Sequence, residues 1–405
     1  MPPDSPARLR PPHPFQVGGH ALGPHFTDRA REIRVVRDAL RTPTRLLVHG
    51  PRRMGKSSIL LSAAASARRR GVRVAWVDFA STTHLADVAN RLLRSVSHEL
   101  RSVPERLTDF ARALSPRVQL TFDPSRPHPV LTLEVTLRQR PVEDQRAAFE
   151  AVLDRLEAHA QERAEAGEPG VAVLMDEFQD IVEVGGDRAD WFLRSIMQRH
   201  THLSYVCAGS REALIHEMLG EKRAFYKHFQ LLHIGPIDPR HLARWIEDRM
   251  RTHGVDAPGV GARILEVAGP RTQDRIQLAR ELFVRGLSRR GRGAEAGTLT
   301  AADVDGAFHA IVRSERSLHL GLWNTLTAFQ QNALRAVAAS PDALHSKATL
   351  DHFGVPSAST MSRTLDALVR RGHLVREARG VAYDNPFFRA WVELEVLPDV
   401  GPGAG

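Results

Sequence analysis

Cysteine is almost absent from this 405-residue chain, with Cys207 the single one. One thiol closes no intrachain disulfide and builds no cysteine-based zinc site. The expectation is a protein of a reducing compartment, the cytoplasm. Long apolar runs are also missing: no stretch of about 18 apolar residues occurs, so no membrane-spanning helix is expected. The opening, MPPDSPARLRPPHPF, lacks the apolar centre of a signal peptide and reads as a proline-rich, loose arm over residues 1–20. Aromatic residues make up only 6%. Lysine is scarce too. Of 56 cationic residues only Lys56, Lys222, Lys227 and Lys347 are lysine, a bias that reads as genomic composition. The net charge of +9 permits a polyanionic partner without requiring one. What remains, 42% hydrophobic and 25% charged residues, is the composition of a globular protein long enough for two or three domains.

Up to about residue 235 two patterns alternate. RLLVH, RVAWVDF, VAVLMDE, LSYVCAG and LLHIGPI are short apolar runs that read as buried strands. Helical periodicity lies between them, as in QRAAFEAVLDRLEAHAQERAEAG with its glycine stop. Strands alternating with helices predict an α/β domain with a parallel sheet covered on both faces. VQLTF and VLTLEVTL alternate apolar and polar residues around DPSRPHP and read as an inserted β-hairpin. After Pro236 the strands stop: HLARWIEDRMRTHGV, GARILEVAG and TQDRIQLARELFVRGLSRR are helical at the 3.6-residue period. From about Trp323 a third pattern of three helices precedes LVREARGVAYDNP, a small hairpin. The resulting division is an arm at 1–20, an α/β core at 21–235, a helical segment at 236–315, a helix-and-hairpin domain at 316–397 and a frayed tail at 398–405.

The scarce lysine is used first within HGPRRMGKSS, where Gly50, Gly55, Lys56 and Ser57 satisfy G-x-x-x-x-G-K-S/T. Each residue type has a physical reason. Glycine lets the backbone curl so that N–H groups converge on a phosphate. The helix that follows aims its positive end at the same group. Lys56 supplies a compact charge to the β- and γ-phosphates, and Ser57 a hydroxyl for Mg²⁺. The loop from Gly50 through Pro51, Arg52, Arg53, Met54 and Gly55 to Ser58 is therefore the expected nucleotide-binding segment, with Lys56 also catalytic. Arg52 and Arg53 either contact phosphate or pair with acids such as Glu177. The second half of such a site is a carboxylate at the end of a buried strand. VAVLMDEFQD supplies Asp176 as a Mg²⁺ ligand, direct or through water, and Glu177 to orient and polarise the attacking water. The absence of an N-K-x-D base-reading segment disfavours a GTPase. Ser210 and Arg211 end the strand LSYVCAGS, where open α/β sheets place ligands. Ser210 there either senses the γ-phosphate or is an ordinary strand-to-helix cap.

These residues resemble the archaeal-type ATPases of the P-loop AAA+/STAND group. The resemblance rests on FTDRAREI from Phe26 to Ile33, GPRRMGKSS, MDEFQD, AGSR and the closing YDNPFFRAW, and extends from about residue 21 to 395. It implies a five-stranded sheet in the order 5-1-4-3-2, a helical lid and a C-terminal winged helix. It further implies ATP and Mg²⁺, with Lys56, Ser57, Asp176 and Glu177 in the roles above and adenine packing near Phe26 and Arg29. The chain departs from the family pattern where KRAFYKHF replaces a segment ending in a functional arginine, which leaves Arg223 a guess at that role. AGPRTQDRIQLA follows the lid pattern loosely, with Arg271 or Arg275 the nucleotide sensors it implies.

In the last domain Met361, Leu365 and Leu368 fall on one helix face, expected to be core. Ser359, Thr360, Arg363 and Arg370 fall on the other, where a helix-turn-helix meets DNA, while Arg376 and Arg379 would lie on the wing near phosphate. From Ser357 to Arg379 five arginines stand against Asp366 and Glu377, a net +3 that is modest for a DNA reader. Winged helices also dock proteins. The sequence therefore supports an ATPase acting as a nucleotide-driven switch, slow without a partner. Its partner is duplex DNA, as in an origin-recognition-like initiator, or another protein, as in a signalling or defence switch that self-associates. A membrane partner is not expected.

Overall fold

The computed structural model describes residues 13–100, 119–123, 130–134, 141–290, 298–377 and 380–398. They form two compact units. One is Arg29–Gly235; the other joins the described residues up to Asp28 with those from Pro236 onward.

The first unit is built on a five-stranded sheet: β1 (Arg45–His49), β2 (Arg73–Asp78), β5 (Val171–Asp176), β6 (Ser204–Gly209) and β7 (Gln230–His233), in the order β2-β5-β6-β1-β7. All four pairings are parallel. Numbered among themselves these strands run 2-3-4-1-5, which read from the other edge is the order 5-1-4-3-2. Helix α1 (Ala30–Arg41) precedes β1, and α2 (Lys56–Arg68), α3 (Leu85–Leu100), α4 (Val142–Glu165), α5 (Ile181–Val184), α6 (Ala189–Arg199) and α7 (Glu212–Leu219) lie between the strands in the chain. Every residue of β5 and β6 is buried, which is why their sequences are apolar without alternation. β7 departs from its expectation as a buried strand. It pairs with β1 alone, and Leu231 is 57% exposed, because an edge strand is covered by a neighbour on one side only. The inserted hairpin is present as β3 (Gln119–Asp123) paired antiparallel with β4 (Val130–Glu134), with Thr121 opposite Thr132; its turn lies outside the described residues.

In the second unit α8 (Pro239–Thr252) starts with Asp238 accepting from the His241 N–H at 2.8 Å and proline in the first turn, a strong helix start. It is followed by α9 (Val260–Val267), α10 (Thr272–Arg290), α11 (Ala301–Ser314) and α12 (Arg316–Asn324). Then come α13 (Ala328–Ala339), α14 (Lys347–His352), α15 (Ala358–Arg370), β8 (Leu374–Glu377) paired antiparallel with β9 (Gly380–Tyr383), and α16 (Pro386–Trp391). A capping box at Thr327 opens α13, and Ser346 and Ser357 cap α14 and α15. Met361, Leu365 and Leu368 are buried, as their spacing requires. One hydrophobic core runs from Phe15 and Ile237 to Val396, so no break in packing marks the expected boundary at residues 315 and 316.

The arm expected to be loose is held from Phe15. That ring is 0% exposed and stands edge-on to Trp245 at 5.9 Å and Phe283 at 6.2 Å, while Arg249 donates to the Pro14 carbonyl at 2.9 Å. Proline-rich composition signalled disorder, but one large aromatic buried against others outweighs the entropy of ordering a few residues. Residues 1–12 and 399–405 lie outside the described set. No helix among the described residues is long and apolar enough to cross a membrane.

Candidate nucleotide site

β1 delivers the chain to the carboxyl edge of the sheet at His49, and the loop from Gly50 to Gly55 turns it into α2. Gly50 has φ +151°, and a Cβ there would stand 2.3 Å from the Ile234 carbonyl oxygen, so only glycine lets β1 and the chain beyond β7 approach this closely. Gly55 has φ +91° with open space where a Cβ would project. Arg53, at φ +66°, carries the same left-handed curl with a side chain attached. The loop thus has the curvature of a phosphate cradle at a helix N-terminus.

Lys56 is buried within this curl, its Nζ donating to the carbonyls of Gly50 at 2.8 Å and Pro51 at 2.7 Å. Burial lowers its pKa to about 8, against the opposing pull of Glu177 and Asp176. Ser57 donates from Oγ to Asp176 Oδ2 at 3.0 Å, joining the loop to the end of β5. Asp176 is itself buried. Desolvation first, and the charge of Glu177 second, raise its pKa to about 6, while the Ser57 hydroxyl and the Glu177 N–H hold it down. A buried carboxylate so destabilised, one hydrogen bond from a serine hydroxyl, is an oxygen-donor pair that fits a hard divalent cation such as Mg²⁺.

Glu177 occupies a left-handed conformation, φ +48°. Its carboxylate accepts from Ser210 Oγ at 2.9 and 2.7 Å and from Gln179 Nε2 at 2.7 Å. Ser210 thereby ties the end of β6 to the acid at the end of β5. Arg52 Nε stands 3.4 Å from Ser210 Oγ, so it reaches the Glu177 cluster through the serine. Arg211 turns elsewhere, pairing with Asp180 and Glu183. Met54 and Ser58 are buried beside the loop, whereas Arg53 is exposed.

Arg29 is buried in the first unit, donating to the Gly235 carbonyl and pairing with Glu32 at 3.2 Å. Phe26, half-buried, belongs to the second unit. Arg271 there pairs with Asp384, and Arg275 donates to the Gly269 carbonyl at 2.6 Å. Arg223 pairs with Glu217. Asp78 was not singled out from the sequence. It stands in register with Asp176 on the neighbouring strand, and burial raises its pKa. The signal was present in two apolar runs that both end in aspartate, but it becomes meaningful only once β2 and β5 are known to be in-register neighbours.

The sheet order, the curled loop opening a helix and the carboxylate at the end of the adjacent strand but one define a P-loop ATPase domain. The chain belongs to the family described as an ATPase domain predominantly from Archaea, whose sequence model matches residues 26–251. No curated protein matches the chain. Among solved structures it is similar to the Walker-type ATPase of Pyrococcus abyssi at 15% identity, with a TM-score of 0.63, covering 94% of this chain and 99% of that one. Two Aeropyrum pernix proteins match with lower TM-scores. The ORC2 protein, solved with ADPNP and ADP, has 14% identity and a TM-score of 0.46 over 95% of this chain and 98% of that one. The ORC1 protein in complex with DNA has 16% identity and a TM-score of 0.46 over 93% and 94%.

Proposed function

We propose that the chain binds ATP with Mg²⁺, hydrolyses it, and uses the bound state as a conformational switch for a macromolecular partner. The observation that carries this reading is the hydrogen-bonded series Ser57, Asp176, Glu177, Ser210, which links the phosphate loop to the ends of β5 and β6. The loop N–H groups and Lys56 would hold the phosphates. Ser57 and Asp176 would hold Mg²⁺, which draws negative charge from the phosphate oxygens. Asp176, relieved of its proton by the cation, would ionise fully at neutral pH.

Glu177 is the proposed group that orients water and takes its proton. Its oxygens accept from Gln179 Nε2 and from the single Ser210 hydroxyl proton, which lies within reach of both of them. Two donors leave lone pairs on the carboxylate for a water, and turnover is proposed to be slow in the absence of a partner macromolecule. The experiment is steady-state hydrolysis of Mg-ATP by the wild type and Glu177→Gln. The variant should keep nucleotide affinity within a few-fold and lose hydrolysis by about 10²- to 10⁴-fold, the usual contribution of general-base catalysis. Equal turnover in the two proteins would remove Glu177 from the mechanism.

The domain reading is a lid at 236–315 and a winged helix at 316–397, supported by the helix, helix, helix, hairpin order of α13, α14, α15 and β8–β9. Duplex DNA is the partner favoured by one observation: α15 buries its apolar face and leaves Ser359, Arg363 and Arg370 exposed. Ser359 and Thr360 are tied to Ser357 at 2.9 and 3.0 Å, and Arg376 to Asp366, so none of these is as available as Arg363 and Arg370. Arg379 lies outside the described residues. A partner of protein nature, including a second copy, is the alternative if duplex is not bound.

A further inference from the structure

Beside the phosphate loop, on residues the nucleotide reading does not use, lies a cluster of nitrogen and oxygen donors. His49 ends β1 and His233 ends β7, and the two are register partners in parallel strands. Side chains at paired positions of neighbouring strands share a face of the sheet, and these two imidazoles have ring centroids 5.1 Å apart. Glu212, the first residue of α7, brings a carboxylate oxygen to 3.5 Å from His233 Nε2. One donor atom from each of His49, Glu212 and His233 lies within 4.8 Å of the others. A fourth group, His216, is one turn along α7 from Glu212, its ring 6.2 Å from that of His49.

His49 Nδ1 is buried and has no hydrogen-bond partner, an arrangement that costs free energy unless something else occupies the nitrogen. The pairing of Glu212 with His233 accounts for those two groups but leaves that nitrogen unexplained.

We propose that His49, Glu212 and His233 bind a divalent transition-metal ion of the zinc class, with a remaining coordination position for water. Two imidazoles and one carboxylate select zinc-like ions over Mg²⁺ and Ca²⁺, which take all-oxygen shells. The site is separate from the Ser57–Asp176 pair and does not depend on the nucleotide reading. It joins β1 to the edge strand β7 and to the first turn of α7. Because Gly50 follows His49 directly, the ion would fix the strand end from which the phosphate loop departs.

The test uses the untagged full-length chain without nucleotide, with Co²⁺ as a spectroscopic probe and Zn²⁺ as competitor. The expected result is one Co²⁺ per chain with visible d–d absorption, displaced by Zn²⁺. Affinity should fall at least about ten-fold in His233→Ala and in Glu212→Gln, the scale on which disturbing a metal site weakens it. His352→Ala, an exposed histidine in the other unit, should bind like the wild type. Both ligand variants alter groups at least partly open to solvent. If His233→Ala melts early, Glu212→Gln gives the same reading on a folded chain. Wild-type Co²⁺ affinity in both ligand variants, or binding well below one ion per chain, would overturn the proposal.

Discussion

Lys56 is buried in a loop whose carbonyls hold its ammonium, with Glu177 and Asp176 near enough to favour its charge. Desolvation wins, bringing its pKa to about 8. The consequence has a definite sign. As pH rises through about 8 the free protein loses the cation that a phosphate requires, while a bound phosphate holds the proton on. Nucleotide binding without Mg²⁺ should therefore take up a proton near pH 8 to 9, and affinity should fall by up to about ten-fold per pH unit there. Calorimetry in two buffers of different ionisation enthalpy measures that uptake; its absence would mean Lys56 keeps its charge in the free protein. At this scale the loop was legible, because G-x-x-x-x-G-K-S/T ties residue type to backbone conformation. The partners of Ser210 and Arg211 were not. Their side chains choose between acids contributed by segments some thirty residues earlier, a choice that depends on how β5 and β6 are juxtaposed.

At the scale of elements, periodicity located the strands and helices because it reflects which face is buried. It placed Met361, Leu365 and Leu368 on the inner face of α15. It failed where burial is decided by neighbours: Leu231 and Leu232 read as a core strand, yet β7 lies at a sheet edge, and Phe15 sits in a proline-rich stretch yet is wholly buried. The outer face of α15 carries its own prediction. If Arg363 and Arg370 each neutralise a phosphate, replacing both with alanine should weaken duplex binding. The slope of log affinity against log salt should then become shallower by about two, at roughly 0.9 for each phosphate no longer neutralised. Arg376 is unsuited to the test because it already pairs with Asp366. Duplex binding with an unchanged salt slope would remove this helix face from the interface.

For the whole molecule, the family match at residues 26–251 covers the unit that carries the phosphate loop and the start of the next, while residues beyond it share a core with Phe15 and with Ile237, Leu242, Ile246 and Met250. The sheet order could be expected only through resemblance to a family. Composition and periodicity say that strands alternate with helices, but not which strands are neighbours. Parallel pairing brings Gly50, Asp176 and Ser210 to one edge, and the order that sets β6 beside β1 and β5 beside β6 makes them neighbours there. The claim on which everything else rests is that this edge binds nucleotide phosphates through Lys56. Titration calorimetry of ATP with Mg²⁺, on the wild type and on Lys56→Ala, tests it most directly. The account predicts one nucleotide per wild-type chain and an affinity about 100-fold or more weaker once the charge-assisted hydrogen bonds of Lys56 are removed, equivalent to about 2.7 kcal/mol. Equal affinity in the two proteins, or no binding by a folded wild type, would contradict it.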